Sequence, residues 1–143
     1  MDIDELLDCA LSLPEPWRIA SAELQKDERI VEIQVVHGGL LGACPECSES
    51  VAKYDLKPRR WRHLDMWDHQ TWITCEIPRV KCREHGVRQV NVPWADAWSR
   101  FTAKFECQVI DRLLEASVSA VARNFGLSWD QVYKIQELSL IHI

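Results

Sequence analysis

The chain has 143 residues, enough for one ordinary domain or two small ones, and 47% hydrophobic composition is enough to bury a core. Its net charge is −5, its start (Met1-Asp2-Ile3-Asp4-Glu5) is acidic where a secretory signal would be basic, and no apolar run approaches the roughly 20 residues a membrane span needs. A cytoplasmic protein without a membrane partner is expected, in which clustered cysteines bind metal rather than form disulfides.

The stretch from Asp4 to Leu13 places Leu6, Leu7, Ala10 and Leu11 on one face of a short helix that stops before Pro14. Two alternating runs follow, Arg18–Leu24 and Ile30–Val36, around the turn-like 25–29, and predict a β-hairpin with one buried face. His37-Gly38-Gly39 breaks the pattern and leads into Cys44-Pro45-Glu46-Cys47. Short strands are expected at 60–64, 71–77, 79–82 and 88–92. Beyond Pro93 the period changes: Phe101, Phe105, Val109 and Leu113 recur every four residues, as one helix face does.

Cys44 and Cys47 are separated by two residues, and so are Cys82 and His85, with 34 residues between the pairs. Two-residue spacing lets a tight turn aim both side chains at one ion, and a tetrahedral Zn2+ takes two such turns from separate parts of the chain. Gly86 suits the backbone such a turn requires. Four protein ligands leave no open position for a catalytic water, so the zinc is read as structural. Cys9, Cys75 and Cys107 read as ordinary core cysteines, with Cys75, His63 and His69 the nearest substitutes should one ligand be misassigned.

Three helices can be drawn within 103–137. Small Ala122 permits close approach, Gly126 permits a left-handed end to the middle helix, and Ser128 with Gln131 forms a capping box that starts the last. In a helix-turn-helix this last helix enters the major groove; Val132 and Ile135 should face the core, leaving Trp129, Asp130, Gln131, Tyr133 and Lys134 for DNA. The competing reading of this segment is a three-helix bundle that binds nothing.

Charge is unevenly spread. Residues 1–52 carry 3 basic and 11 acidic residues, whereas residues 53–104 carry 11 basic and 6 acidic. Charges beyond a Debye length of about 10 Å are screened, so a local basic region can hold phosphate whatever the total. Arg59, Arg60, Arg62, Arg79, Lys81, Arg83 and Arg88 are the candidate contacts; a solvated hairpin face is the plainer account. Trp61, Trp67, Trp72, Trp94 and Trp98 are assigned to the core of the ribbon.

Cys44-Pro45-Glu46-Cys47, Arg60-Trp61-Arg62-His63-Leu64-Asp65, Pro78–Cys82, His85-Gly86-Val87, Val92–Ala95, Phe101-Thr102 and Phe105-Glu106 together resemble the amino-terminal part of the ISL-three insertion-sequence transposases, from about Ile30 to Glu137. The resemblance implies a zinc finger and a helix-turn-helix that bind double-stranded DNA at the element's terminal inverted repeats, ahead of a DDE catalytic domain working with divalent metal. Ser48 stands where the family pattern has glycine. That catalytic domain would follow residue 137, and Leu138–Ile143 looks like a translated transposon-end adapter, so a truncated, non-catalytic fragment is expected. A homodimer would form through the missing part.

The expected fold is α+β: a β-hairpin and zinc ribbon over 1–96, a three-helix helix-turn-helix domain over 97–137, and a non-native tail over 138–143. The rival functions are a complete zinc-ribbon transcriptional regulator and a zinc-stabilised protein-interaction module.

Overall fold

A computed structural model describes residues 3–141. The expected first helix forms as α1 (Ile3–Leu11) and ends at Ser12, whose φ is +51°. Its buried face is narrower than expected: Leu7 is buried and Leu11 half-buried against the core, whereas Leu6 and Ala10 face solvent.

The hairpin forms as β1 (Trp17–Gln25) and β2 (Ile30–His37), antiparallel with Trp17 opposite His37 and Gln25 opposite Ile30. In β1, the edge strand of the sheet, only Trp17 is buried. The short strands expected next are replaced by two long ones. After β3 (Leu41–Ala43), residues 60–64 lie inside β4 (Ser50–Met66), and 71–77 and 79–82 fuse into β5 (His69–Cys82); β6 (Gly86–Gln89) stops before residues 90–92.

Pro78 does not break β5, because its carbonyl, and therefore its missing N–H, faces a gap in the neighbouring edge. There β2 has ended opposite Cys75, β6 ends with Gln89 opposite Arg79, and only the Val90 N–H reaches the Pro78 carbonyl. A bulge in β4 between Lys53 and Asp55 accompanies a change of phase in β5: Thr71, Ile73, Cys75 and Ile77 are buried first, then Pro78, Val80 and Cys82. That shift turns Cys82 inward.

The strands make one six-stranded sheet in the order β1-β2-β5-β4-β3, with β6 also paired to β5. β2 and β5 are parallel, Ile30 opposite Gln70 and Val35 opposite Cys75, so the first hairpin and the metal ribbon are one sheet. Ile33, Val35, Trp61, Ile73 and Ile77 form its core, closed by edge-on contacts of Trp94 with Trp17 (5.1 Å) and Trp61 (5.2 Å).

The remaining helices are α2 (Ala103–Leu113), α3 (Val118–Phe125) and α4 (Trp129–Ile141). Thr102 caps α2 by accepting from the Phe105 N–H, and Ser117 caps α3 in the same way from Ala120. Gly126 ends α3 at φ +67°. Both halves of the expected capping box form: the Ser128 N–H donates to Gln131 Oε1 at 2.9 Å, and the Gln131 N–H donates to Ser128 Oγ at 3.2 Å. Phe105, Val109, Val121, Ala122, Val132 and Ile135 form this second core. Of the stretch read as a tail, 138–141 continue α4, while His142 and Ile143 lie outside the described residues.

The two cores meet along the β4 edge. The Arg62 N–H donates to the Arg100 carbonyl and the Thr102 N–H to the Arg62 carbonyl, so Phe101 extends the sheet as a parallel bridge.

Candidate metal centre and nucleic-acid interface

Two turns at one end of the sheet carry the four expected ligands, one joining β3 to β4 and the other β5 to β6. In the first, the Ser48 N–H donates to the Cys44 carbonyl and the Cys44 N–H to the Glu49 carbonyl. The ligand atoms of Cys44, Cys47, Cys82 and His85 all lie within 4.8 Å of one another. Cys47 Sγ is 3.6 Å from Cys82 Sγ, and His85 Nδ1 is 3.5 Å from Cys82 Sγ and 3.8 Å from Cys44 Sγ. Metal–sulfur bonds of about 2.3 Å and metal–nitrogen bonds of about 2.0 Å give tetrahedral edges close to these lengths, so the donor set fits a four-coordinate metal.

Backbone N–H groups inside the turns, first that of Glu46 for Cys44 and that of His85 for Cys82, pull both thiols below their ordinary range, while burial and the two neighbouring thiols push Cys47 up to about 11, so the set gives up its first protons at Cys44 and Cys82. On the far side of the imidazole, His85 Nε2 is 3.4 Å from Glu46 Oε2, and the Arg88 Nε–H donates to Glu46 Oε1 at 3.3 Å. A carboxylate behind a ligating histidine fixes its ring and tautomer. The substitute ligands are elsewhere. Cys75 is in the sheet core, where burial pushes its thiol up to about 12. His63 Nδ1 is 2.7 Å from Thr102 Oγ1 with burial holding its pKa at about 4, and His69 contacts Asp68.

Each turn ends on a left-handed residue, Ser48 at φ +62° and Gly86 at φ +73°. A side chain at Gly86 would meet open space, so the need for glycine there is conformational. Ser48→Gly is therefore expected to stabilise the chain by about 0.5–1 kcal/mol, and Gly86→Ala to destabilise it by about 1 kcal/mol. Urea melts of the metal-loaded proteins check both signs; a destabilising Ser48→Gly would show that the serine side chain has a role of its own.

The candidate DNA residues divide. A groove of about 1120 Å³ runs between the first metal turn, the outer face of β4–β5 and the helices, and its walls include Arg59, Arg60, Arg79, Arg88 and Gln131. Arg60 lies exposed over the Trp72 ring at 3.9 Å, with Glu32 3.6 Å away. Arg79 forks onto Asp55, holding that carboxyl below its ordinary range, and Arg88 reaches Glu46. Lys81 and Arg83 are exposed beyond the groove.

Arg62 is corrected: it is 3% exposed, its guanidinium bonds Asp65 at 3.0 Å and lies 5.0 Å over the Phe105 ring, so it joins the two cores instead of facing phosphate. On α4, Trp129, Asp130, Tyr133 and Lys134 are exposed while Val132 and Ile135 are buried, the division the helical period implies.

Sequence reasoning missed Arg100, which also lines the groove, and misassigned two tryptophans: Trp67 and Trp98 are 89% and 95% exposed. The available signal was that both sit in polar, turn-like stretches outside any apolar period.

Residues 41–85 match the model for the zinc-finger of transposase IS204/IS1001/IS1096/IS1165, and residues 90–137 that for the helix-turn-helix domain of transposase family ISL3. The chain is 28% identical over 121 residues to the transposase for insertion sequence element IS1557 from Mycobacterium tuberculosis strains CDC 1551 / Oshkosh and ATCC 25618 / H37Rv, an alignment covering 80% of this chain and 27% of each relative. It thus spans about a quarter of the length of the curated relatives it matches. No solved structure matches it. With a zinc-finger match over the metal turns and a helix-turn-helix match over the second core, in that order, the chain belongs to the ISL3 transposase family and corresponds to its amino-terminal part.

Proposed function

We propose that this chain is the DNA-recognition part of a transposase, binding duplex DNA at the terminal inverted repeats of an insertion sequence without cutting it. Zinc is the metal, because three cysteines and a histidine at tetrahedral spacing suit its preference for sulfur and nitrogen and its closed structural sites. Residues 1–96 act as the metal-stapled sheet and 97–137 as the reading domain, in which α3, the Gly126 turn and α4 form the helix-turn-helix. Strand cutting and joining, and any dimer contact, are assigned to the part of the full-length relatives that this chain does not span. The working compartment is the bacterial cytoplasm; among the described residues no helix is long and apolar enough to cross a membrane.

The observation that carries this reading is the place of Gln131. It sits in the first turns of α4, where a recognition helix meets bases, and also on the wall of the arginine groove. Base-reading and phosphate-holding surfaces are therefore continuous, with Trp129, Asp130, Tyr133 and Lys134 towards the bases and Arg60, Arg79, Lys81, Arg83 and Arg88 towards the backbone.

The test is a salt titration of binding to random-sequence duplex, comparing zinc-loaded protein with Cys44→Ser. The expected slope of log affinity against log salt is about −3 or steeper, with binding lost in the variant. Loaded protein that fails to bind even at low salt would overturn the DNA reading and favour the interaction module.

A further inference from the structure

The turn that carries Trp98 is braced on both sides. The Arg59 guanidinium donates to the Ala97 carbonyl at 2.8 Å and the Ser99 carbonyl at 2.9 Å. The Ser99 N–H donates to the Asp96 carbonyl, and Ser99 Oγ, itself buried, donates its one proton to Glu106 Oε1 at 2.6 Å, accepts from the Phe101 N–H and lies 3.0 Å from the Phe101 carbonyl. Between these pinned neighbours the indole of Trp98 is left 95% exposed at the groove. Five arginines line that groove; Arg60, Arg79 and Arg88 are paired with Glu32, Asp55 and Glu46, and Arg59 is taken up by the two carbonyls. Arg100, two residues on, is exposed and has no ion-pair partner among the described residues.

An arginine-lined concavity alone would suit the backbone of any nucleic acid. The indole adds a selection, because in a duplex the base faces are stacked on one another and only the edges are open, whereas an unpaired base offers a whole face. Positive channels with aromatic platforms are how proteins hold single strands. A braced turn also loses little conformational freedom when a base stacks on it, which favours binding.

We infer that this groove is a single-strand site, deepening the proposed DNA binding on which it rests: it holds an unpaired DNA segment beside the duplex read by α4. Arg60 and Arg100 contact its phosphates, Trp98 stacks on a base, and Arg59 is a positioning residue that presents the indole. Such a segment arises wherever the end of a bound duplex is melted or nicked.

The test measures fluorescence anisotropy of the zinc-loaded chain with labelled oligothymidine, which has no secondary structure, and in parallel with a labelled random duplex. Wild type is expected to bind both. Trp98→Ala should weaken oligothymidine binding about tenfold and Trp98→Phe less than about twofold, with duplex affinity unchanged in both, since stacking needs only an aromatic face. If wild type binds duplex but not oligothymidine, or if Trp98→Ala weakens both equally or neither, the single-strand site is overturned while duplex recognition stands. If wild type binds neither, both readings fall together.

Discussion

Replacing Cys82 with serine is expected to strip the chain of its metal and melt one end of the sheet while leaving the other end folded. Cys82 is both a ligand and a buried residue, 2% exposed, at the point where the β5 phase shift turns it inward beside Val80. The elements it holds are slight. β3 has three residues and β6 has four, and the apolar contacts that secure them centre on Val51, Val80 and Val90, packed so closely that a Cβ on Gly42 would come within 2.8 Å of both Val80 and Val90. Structural zinc contributes on the order of 10 kcal/mol in small fingers that have little else, so removing it leaves these strands without their main support. Cys44 and Cys82 belong to the same buried cluster as Ile33, Trp61 and Ile73, but those three sit on the long β2–β5–β4 strands, which are paired along their length without the metal and should persist. Bound metal is expected to fall from one ion per chain to less than about half, with amide protons of β6 and the 44–49 turn exchanging fast while those of β2 and the first half of β5 stay protected. Uniform loss of protection across the sheet would show instead that metal and core fold as one cooperative unit.

Phe105→Ala should have the second large effect, on the other core. Phe105 is fully buried, stacks on Phe101 at 5.2 Å, meets Phe125 edge-on at 5.6 Å and lies under the Arg62 guanidinium. Truncating such a ring removes about 3–5 kcal/mol, a large part of the roughly 5–15 kcal/mol that holds a domain together. It also strands a buried guanidinium over an empty space. Helical circular dichroism during urea unfolding should show early loss of α2–α4, and duplex binding should fail with it, while metal content stays at one ion per chain because the four ligands belong to the sheet. A loss smaller than about 1 kcal/mol would mean that the helices are held together mainly elsewhere.

These two variants separate the roles that Arg62 connects. Expected from sequence as a phosphate contact, it sits at the β4 edge where Phe101 pairs with it, tying the sheet to the first turn of α2. The groove at the metal end and the first turn of α4 can act on one DNA molecule only while that seam holds them in register.

What the sequence determined by itself was the chemistry set at short spacing. The Cys-x2-Cys and Cys-x2-His turns, the left-handed Gly126, the Ser128–Gln131 box and the inward Val132 and Ile135 each depend on residues two to four positions apart, and local backbone geometry brings such neighbours together whatever surrounds them. Ser48 shows the same logic from the other side, since the turn imposes a positive φ even on a residue ill suited to it. Only the tertiary structure decided which distant surfaces meet. The parallel pairing of β2 with β5 joined hairpin and ribbon into one sheet, and the docking of 99–102 on β4 buried Arg62 while leaving Trp98 in solvent. An arginine satisfied by water and one satisfied by a carboxylate and an aromatic ring look alike in sequence, as do a core tryptophan and a presented one, because burial belongs to the pair of surfaces and not to the residue.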